Sequence, residues 1–251
     1  MSETTDRPWR RAAGALGTDL AGYTLVWVGV GAVLLTINLV ANGVWGDIDG
    51  SVWDGTASIF QYAMLAAGIM VVSGYLPVYV THGLTRRDVT TGAIIALVGL
   101  SAVAALATTV GYGVEHLVFA VADWPHVLVE SEHDMHIYDQ PDQYGLIFVE
   151  LFGLYVTHAI AGMLIVAGLF RLGWVFGGPL VLAGVGVAVG AELALGSGAA
   201  GVLVRDGLDL GAPPAGVGVA VTAALAVAGV MMARRLLAGV SIETKDAALW
   251  R

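Results

Sequence analysis

Apolar positions in this chain run in long blocks separated by short polar stretches. The blocks lie at about 20–41, 57–80, 91–114, 144–170, 178–199 and 215–233. A bilayer-crossing helix needs roughly 20 mostly apolar residues. In hydrocarbon every backbone polar group must be satisfied internally, which leaves helices or closed barrels. The pattern therefore predicts an all-α integral membrane protein with six transmembrane helices. Between the blocks lie residues 42–56, 81–90, 115–143, 171–177 and 200–215. No internal repeat is visible, so the six spans are read as a single polytopic domain over residues 1–251.

Three local features refine the pattern. Ahead of the first block, Trp9, Ala12, Ala13, Leu16 and Leu20 recur at helical spacing, with Arg10, Arg11 and Asp19 off that stripe. Two readings fit segment 7–20: a short amphipathic helix on the membrane surface, or a basic flank that anchors the first span. Pro77, near the end of the second block, removes a backbone donor and predicts a kink. The fifth block is rich in glycine, and Gly186 and Gly190 have the small-xxx-small spacing that lets helix backbones approach closely.

Composition agrees with a membrane location. Hydrophobic residues make up 57% of the chain and charged residues 12%, against about 25% charged in soluble domains. Mean hydropathy is +0.81. Cysteine is absent, which excludes a disulfide framework, thiolate metal ligands and a cysteine nucleophile. The net charge is −9, and Lys245 is the one lysine beside ten arginines. Such an acidic, lysine-poor balance is halophile-like, and a GC-rich genome gives the same bias. Acids gathered to attract a cation are the alternative reading.

Charge also sets the orientation. Arg7, Arg10 and Arg11 precede the first span, and Arg86 and Arg87 separate the second from the third. Arg171 separates the fourth from the fifth, and Arg234, Arg235, Lys245 and Arg251 follow the sixth. All of these fall on one side, whereas Arg205 falls on the other. The positive-inside rule then predicts that both termini are cytoplasmic in a multi-pass protein of the cell membrane. The first apolar block is longer than a signal-peptide core of roughly 7–15 residues and is read as a retained helix.

The polar stretch between spans two and three carries the most specific motif. It reads Thr81-His82-Gly83-Leu84-Thr85-Arg86-Arg87-Asp88. Here His82-Gly83-Leu84 breaks one helix, Thr85 can cap the next, and Asp88 falls in that helix's first turn. Two adjacent guanidiniums then offer ion-pair donors to an acidic partner.

This run resembles the Gly-aliphatic-Thr-Arg-Arg loop that follows the second helix of ABC-2-type transporter permeases, where the loop docks on the ATPase. The resemblance extends to span count, orientation and an amphipathic start. It implies the permease subunit of an ATP-driven exporter that is not itself an enzyme. It further implies a separate ABC ATPase chain carrying ATP and Mg, and a second permease copy in a homodimer or heterodimer. In that family Gly83, Leu84, Thr85, Arg86, Arg87 and Asp88 would be the coupling element. The chain departs from the family in a long segment 115–143 and a short one at 200–215. In the latter, residues 201–204 and 208–210 are a candidate remnant of the family's re-entrant helix pair.

Two further constellations carry chemistry. Glu150, His158 and Glu192 lie in or near apolar blocks, where a charge costs roughly 2.5–3.5 kcal/mol. Glu150 and His158 are two turns apart on one helix face, so they can line a translocation path or act as buried hydrogen-bonded groups. Glu115 and Glu150 lie near span ends, where a carboxylate can reach water. The second constellation combines His126, His133, Asp134 and His136 with Glu115, His116, Glu130 and Glu132, nitrogen and oxygen donors for a divalent metal. Its spacing matches no standard site. It supports the alternative of a stand-alone sensor or accessory subunit that binds metal through an outer loop, and a purely structural accessory protein is a third possibility. No His-Glu-x-x-His, Gly-x-Ser-x-Gly or Walker motif is present, so no catalytic residue or resident cofactor is expected in this chain. Membrane lipid, and no nucleic acid, is expected around it.

Overall fold

A computed structural model describes residues 7–45, 51, 53–124, 136–211 and 213–239. The described residues form helices and connecting turns, with no strand among them. The order is α1 (Pro8–Trp45), α2 (Trp53–Met70), a π-helical turn (Val71–Tyr75), α3 (Leu76–Thr81), α4 (Arg86–Ala122), α5 (Tyr144–Phe176), α6 (Gly178–Leu195), α7 (Ala199–Leu208) and α8 (Ala215–Leu237). Six segments are long and apolar enough to cross a membrane: Pro8–Leu34, Trp53–Thr81, Arg86–Ala122, Tyr144–Gly173, Gly178–Leu195 and Ala215–Leu237. These follow the six apolar blocks in order and define a multi-pass α-helical membrane protein.

Segment 7–20 is not a separate surface helix. Pro8, preset for a first helical turn, opens α1, which continues unbroken for 38 residues, about 57 Å. Its apolar stripe faces a neighbouring helix rather than lipid. Ala12, Leu16 and Leu20 are fully buried. A Cβ on Gly92 of α4 would collide with the Ala12 side chain and the Trp9 carbonyl.

Where Pro77 predicts a kink, the helix widens into a π-helical turn. Proline supplies no N–H and crowds the carbonyl four residues back. The chain answers with the wide turn Val71–Tyr75, where the Leu76 N–H donates to Val71 O, five residues behind. Ser73 Oγ returns to Ile69 O at 2.8 Å.

At the centre of the bundle stands α5, against which α2, α4, α6 and α8 pack. Its crossing with α2 is made by glycines on both sides. A Cβ on Gly68 would lie 1.9 Å from Ala159 O, and one on Gly162 would lie 2.1 Å from Leu65 O. The two backbones touch, as small residues allow in membranes. The pair expected in α6 behaves differently. Gly186 faces open space and Gly190 meets only the Leu225 side chain, whereas Gly184 packs on α5 against Ile165 and the Ala161 carbonyl.

The bundle has two chemically distinct ends. The basic end carries Arg7, Arg10, Arg11, Arg86, Arg87, Arg171, Arg234 and Arg235. There Arg171 Nη1 donates to Arg235 O at 3.0 Å, satisfying a carbonyl in the last turn of α8. The acidic end carries Asp54, Glu115, Asp123, Asp139, Asp142, Glu150, Asp206 and Asp209.

Candidate functional site

The acidic end of the bundle encloses a cavity of about 520 Å³. Its wall includes Asp54 and Gln61 from α2, Tyr112 from α4, His136 and Tyr138 from the following connection, Glu150 and Leu154 from α5, and Ser197, Val202 and Asp206 around α7.

Helix α2 brings Asp54 to the mouth because its N-terminus is anchored from α4. Glu115 Oε1 accepts the Trp53 N–H at 2.8 Å, and Oε2 accepts Ser51 Oγ at 2.7 Å. Glu115 is fully buried, so its place near a span end does not put it in water. It caps a helix whose first N–H groups have no intrahelical partner. The Trp53 indole lies against Gly111 and donates to Thr108 O at 2.8 Å.

Around the mouth the polar groups pair. Tyr112 donates its hydroxyl to Asp54. His136 Nδ1 meets Glu150 Oε1 at 2.6 Å, and the Ile137 N–H donates to Glu150 Oε2 at 2.9 Å. The His136 ring stacks on Tyr138, with centroids 4.7 Å apart and planes at 18°. Burial, and then the negative charge of Glu150, push the Tyr138 phenol well above its ordinary value, so this hydroxyl stays protonated.

A second polar layer lies deeper. His158 Nε2 meets Glu192 Oε1 at 3.1 Å, and Gln61 Nε2 donates to the same oxygen at 3.2 Å. The Gly201 N–H donates to Glu192 Oε2 at 2.7 Å. Glu192 and His158 are each 1% exposed. Gln61 belongs to both layers, lining the cavity and touching the pair beneath it. Between the layers, the Tyr155 hydroxyl donates to Ala57 O at 3.2 Å and contacts Thr108 Oγ1 at the same distance.

Glu150 and His158 share the inward face of α5, with Leu154 between them, all three buried. They are not partners of each other. His136 pairs with the first and Glu192 with the second. The sequence signalled Glu150, His158 and Glu192. It did not single out Asp54, Gln61, Tyr112 or Tyr138, ordinary-looking residues in the first turn of α2, inside α2 and α4, and in a loop.

At the basic end, Gly83 takes a left-handed φ of 89°, which frees the chain from α3. Leu84 N–H returns to Tyr79 O at 3.2 Å. Thr85 is the N-cap of α4: its Oγ1 accepts the Asp88 N–H at 3.2 Å and donates to Asp88 Oδ2 at 2.6 Å. Arg87 is exposed and Arg86 half-buried.

Of the outer histidine and acid group, His126, Glu130, Glu132, His133 and Asp134 lie outside the described residues. His136 is engaged with Glu150. Among the described residues no group of three His, Asp or Glu side chains is arranged to hold a metal ion.

No protein-family model matches the chain, and no curated protein or solved structure matches it.

Proposed function

We propose that this protein is the membrane-spanning permease of an ATP-driven, ABC-2-type exporter, with the cavity at its acidic end as the outer part of the transport path. The observation that carries transport is that cavity, to which α2, α4, α5, α7 and the connection before α5 contribute three carboxylates and two tyrosines, in a protein with six membrane-length helices. Gathering ionisable groups in so apolar a bundle is expensive and favours a functional role. The carboxylates Asp54, Glu150 and Asp206 suit a solute bearing positive charge.

Coupling to a separate ATPase rests on the resemblance of Gly83-Leu84-Thr85-Arg86-Arg87. Its geometry supports that role. A left-handed glycine and a reciprocal Thr85–Asp88 cap fix the hairpin, and they leave Arg87 exposed for an acidic groove. The positive-inside rule puts this hairpin and both chain ends in the cytoplasm. Helix α7, between the fifth and sixth spans, stands where the family has a re-entrant element. It borders the cavity through Ala199, Val202, Leu203 and Asp206. A second permease copy completes the proposed complex. The continuous α1 differs from the separate surface helix of the family, so the N-terminal segment is given no part in docking.

Affinity purification from native membranes tests the proposal. The expected result is a stoichiometric partner with a Walker-type ATP site, lost in the Arg86→Glu/Arg87→Glu double variant while orientation is unchanged. Purification without an ATPase, even after crosslinking, contradicts it.

A further inference from the structure

A second cavity, of about 350 Å³, lies between α6, α7 and α8. Its walls are mostly apolar, formed by Leu193, Ala194, Leu210, Val217 and Val221, and one cation enters it, Arg205 of α7. Arg205 is 3% exposed. Nη2 donates to Leu193 O at 2.5 Å, whereas Nε and Nη1 have no hydrogen-bond partner. Arginine does not lose its charge in proteins, so unpaired donors of a buried guanidinium call for an acceptor. No carboxylate is among the residues lining this cavity. The first turn of α8 borders it through Val217 and Gly218 and adds the positive end of a helix dipole.

Two residues of its wall lie on the bundle's flank. Val217 and Val221 are 52% and 43% exposed on a helix long enough to span a bilayer. A ligand here meets one charged donor group at the end of an apolar wall.

We propose that this cavity holds the phosphate head group of an anionic phospholipid. The phosphate oxygens accept from Arg205, and an acyl chain runs along Val217 and Val221. A hydrophilic anion satisfies the arginine but leaves the apolar wall bare, and a neutral lipid does the reverse. The site is separate from the carboxylate cavity and does not depend on the transport proposal.

Native mass spectrometry of the delipidated full chain, titrated with phosphatidylglycerol or phosphatidylcholine of equal chain length, tests the proposal. The expected result is preferential retention of phosphatidylglycerol, weakened roughly tenfold by Arg205→Gln, the scale of one charged hydrogen bond. Val217→Trp, which keeps the arginine and fills the space, should weaken it similarly. Arg235→Gln at the basic end should retain lipid as the wild type does. Equal retention of both lipids, or wild-type retention by either folded cavity variant, overturns the proposal. So does displacement of phosphatidylglycerol by an equal concentration of inorganic phosphate, which assigns the site to a free anion.

Discussion

His158 Nε2 and Glu192 Oε1 meet across 3.1 Å in the bundle interior. His158 Nδ1 lies 2.8 Å from Leu154 O, an oxygen that only accepts, so Nδ1 carries a hydrogen. The Nε2–Oε1 contact then needs one proton between imidazole and carboxyl. In either arrangement the pair is neutral overall, which suits its depth in the bilayer. Gln61 and the Gly201 N–H also donate to Glu192, which joins α2, α5, α6 and α7 at one carboxyl group.

Removing that carboxyl leaves several buried donors without an acceptor. Glu192→Ala should lower stability by about 3 kcal/mol, the scale for breaking one side of a buried pair. Glu192→Gln, which keeps a carbonyl acceptor, should lose less. Thermal unfolding in detergent reads both. Equal stability of Glu192→Ala and the wild type contradicts the role.

The α2–α5 crossing makes a sharper packing prediction. A Cβ at Gly68 lies 1.9 Å from a backbone oxygen that cannot rotate away. Gly68→Ala should cost at least about 2 kcal/mol through forced separation of the helices. Gly99, also helical, has open space around it. Gly99→Ala should be neutral or stabilise by up to about 1 kcal/mol. The same unfolding assay distinguishes them.

At the basic hairpin, Thr85→Ala removes the cap of α4 and should cost about 1 kcal/mol locally. Hydrogen exchange at the amides of Asp88 and Val89 should accelerate, while the centre of α4 is unaffected. Unchanged exchange there would mean that the cap does not hold the hairpin.

Much of this architecture was legible in the sequence because bilayer crossing demands length and apolarity, which a single sequence displays. The cap at Thr85 and the break at Gly83 were legible for a similar reason, since both depend on neighbours along the chain. Long-range contacts were not. The stripe Ala12, Leu16 and Leu20 has the spacing of an amphipathic helix whether it faces lipid or α4, and the close approach at Gly92 decides for α4. Gly186 and Gly190 have a packing spacing, yet the interface with α5 forms at Gly184 because rotation of α6 about its axis is set by its neighbours. Glu150, His158 and Glu192 were visible as charged or titratable groups in apolar blocks. Their partners come from other helices and from the connection after α4, so spacing on α5 could not supply them.

Because the chain has no cysteine, single substitutions report access to the cavity without a background. The decisive measurement is labelling of Ser58→Cys, on the cavity wall, with a membrane-impermeant maleimide added from each side of oriented membranes. Val103→Cys, 59% exposed on the flank of α4, is the lipid-facing control. The expected result is rapid labelling of residue 58 from the acidic side, little from the basic side, and none at residue 103. A residue 58 as silent as residue 103, or one labelled only from the basic side, would contradict an outward-opening transport cavity.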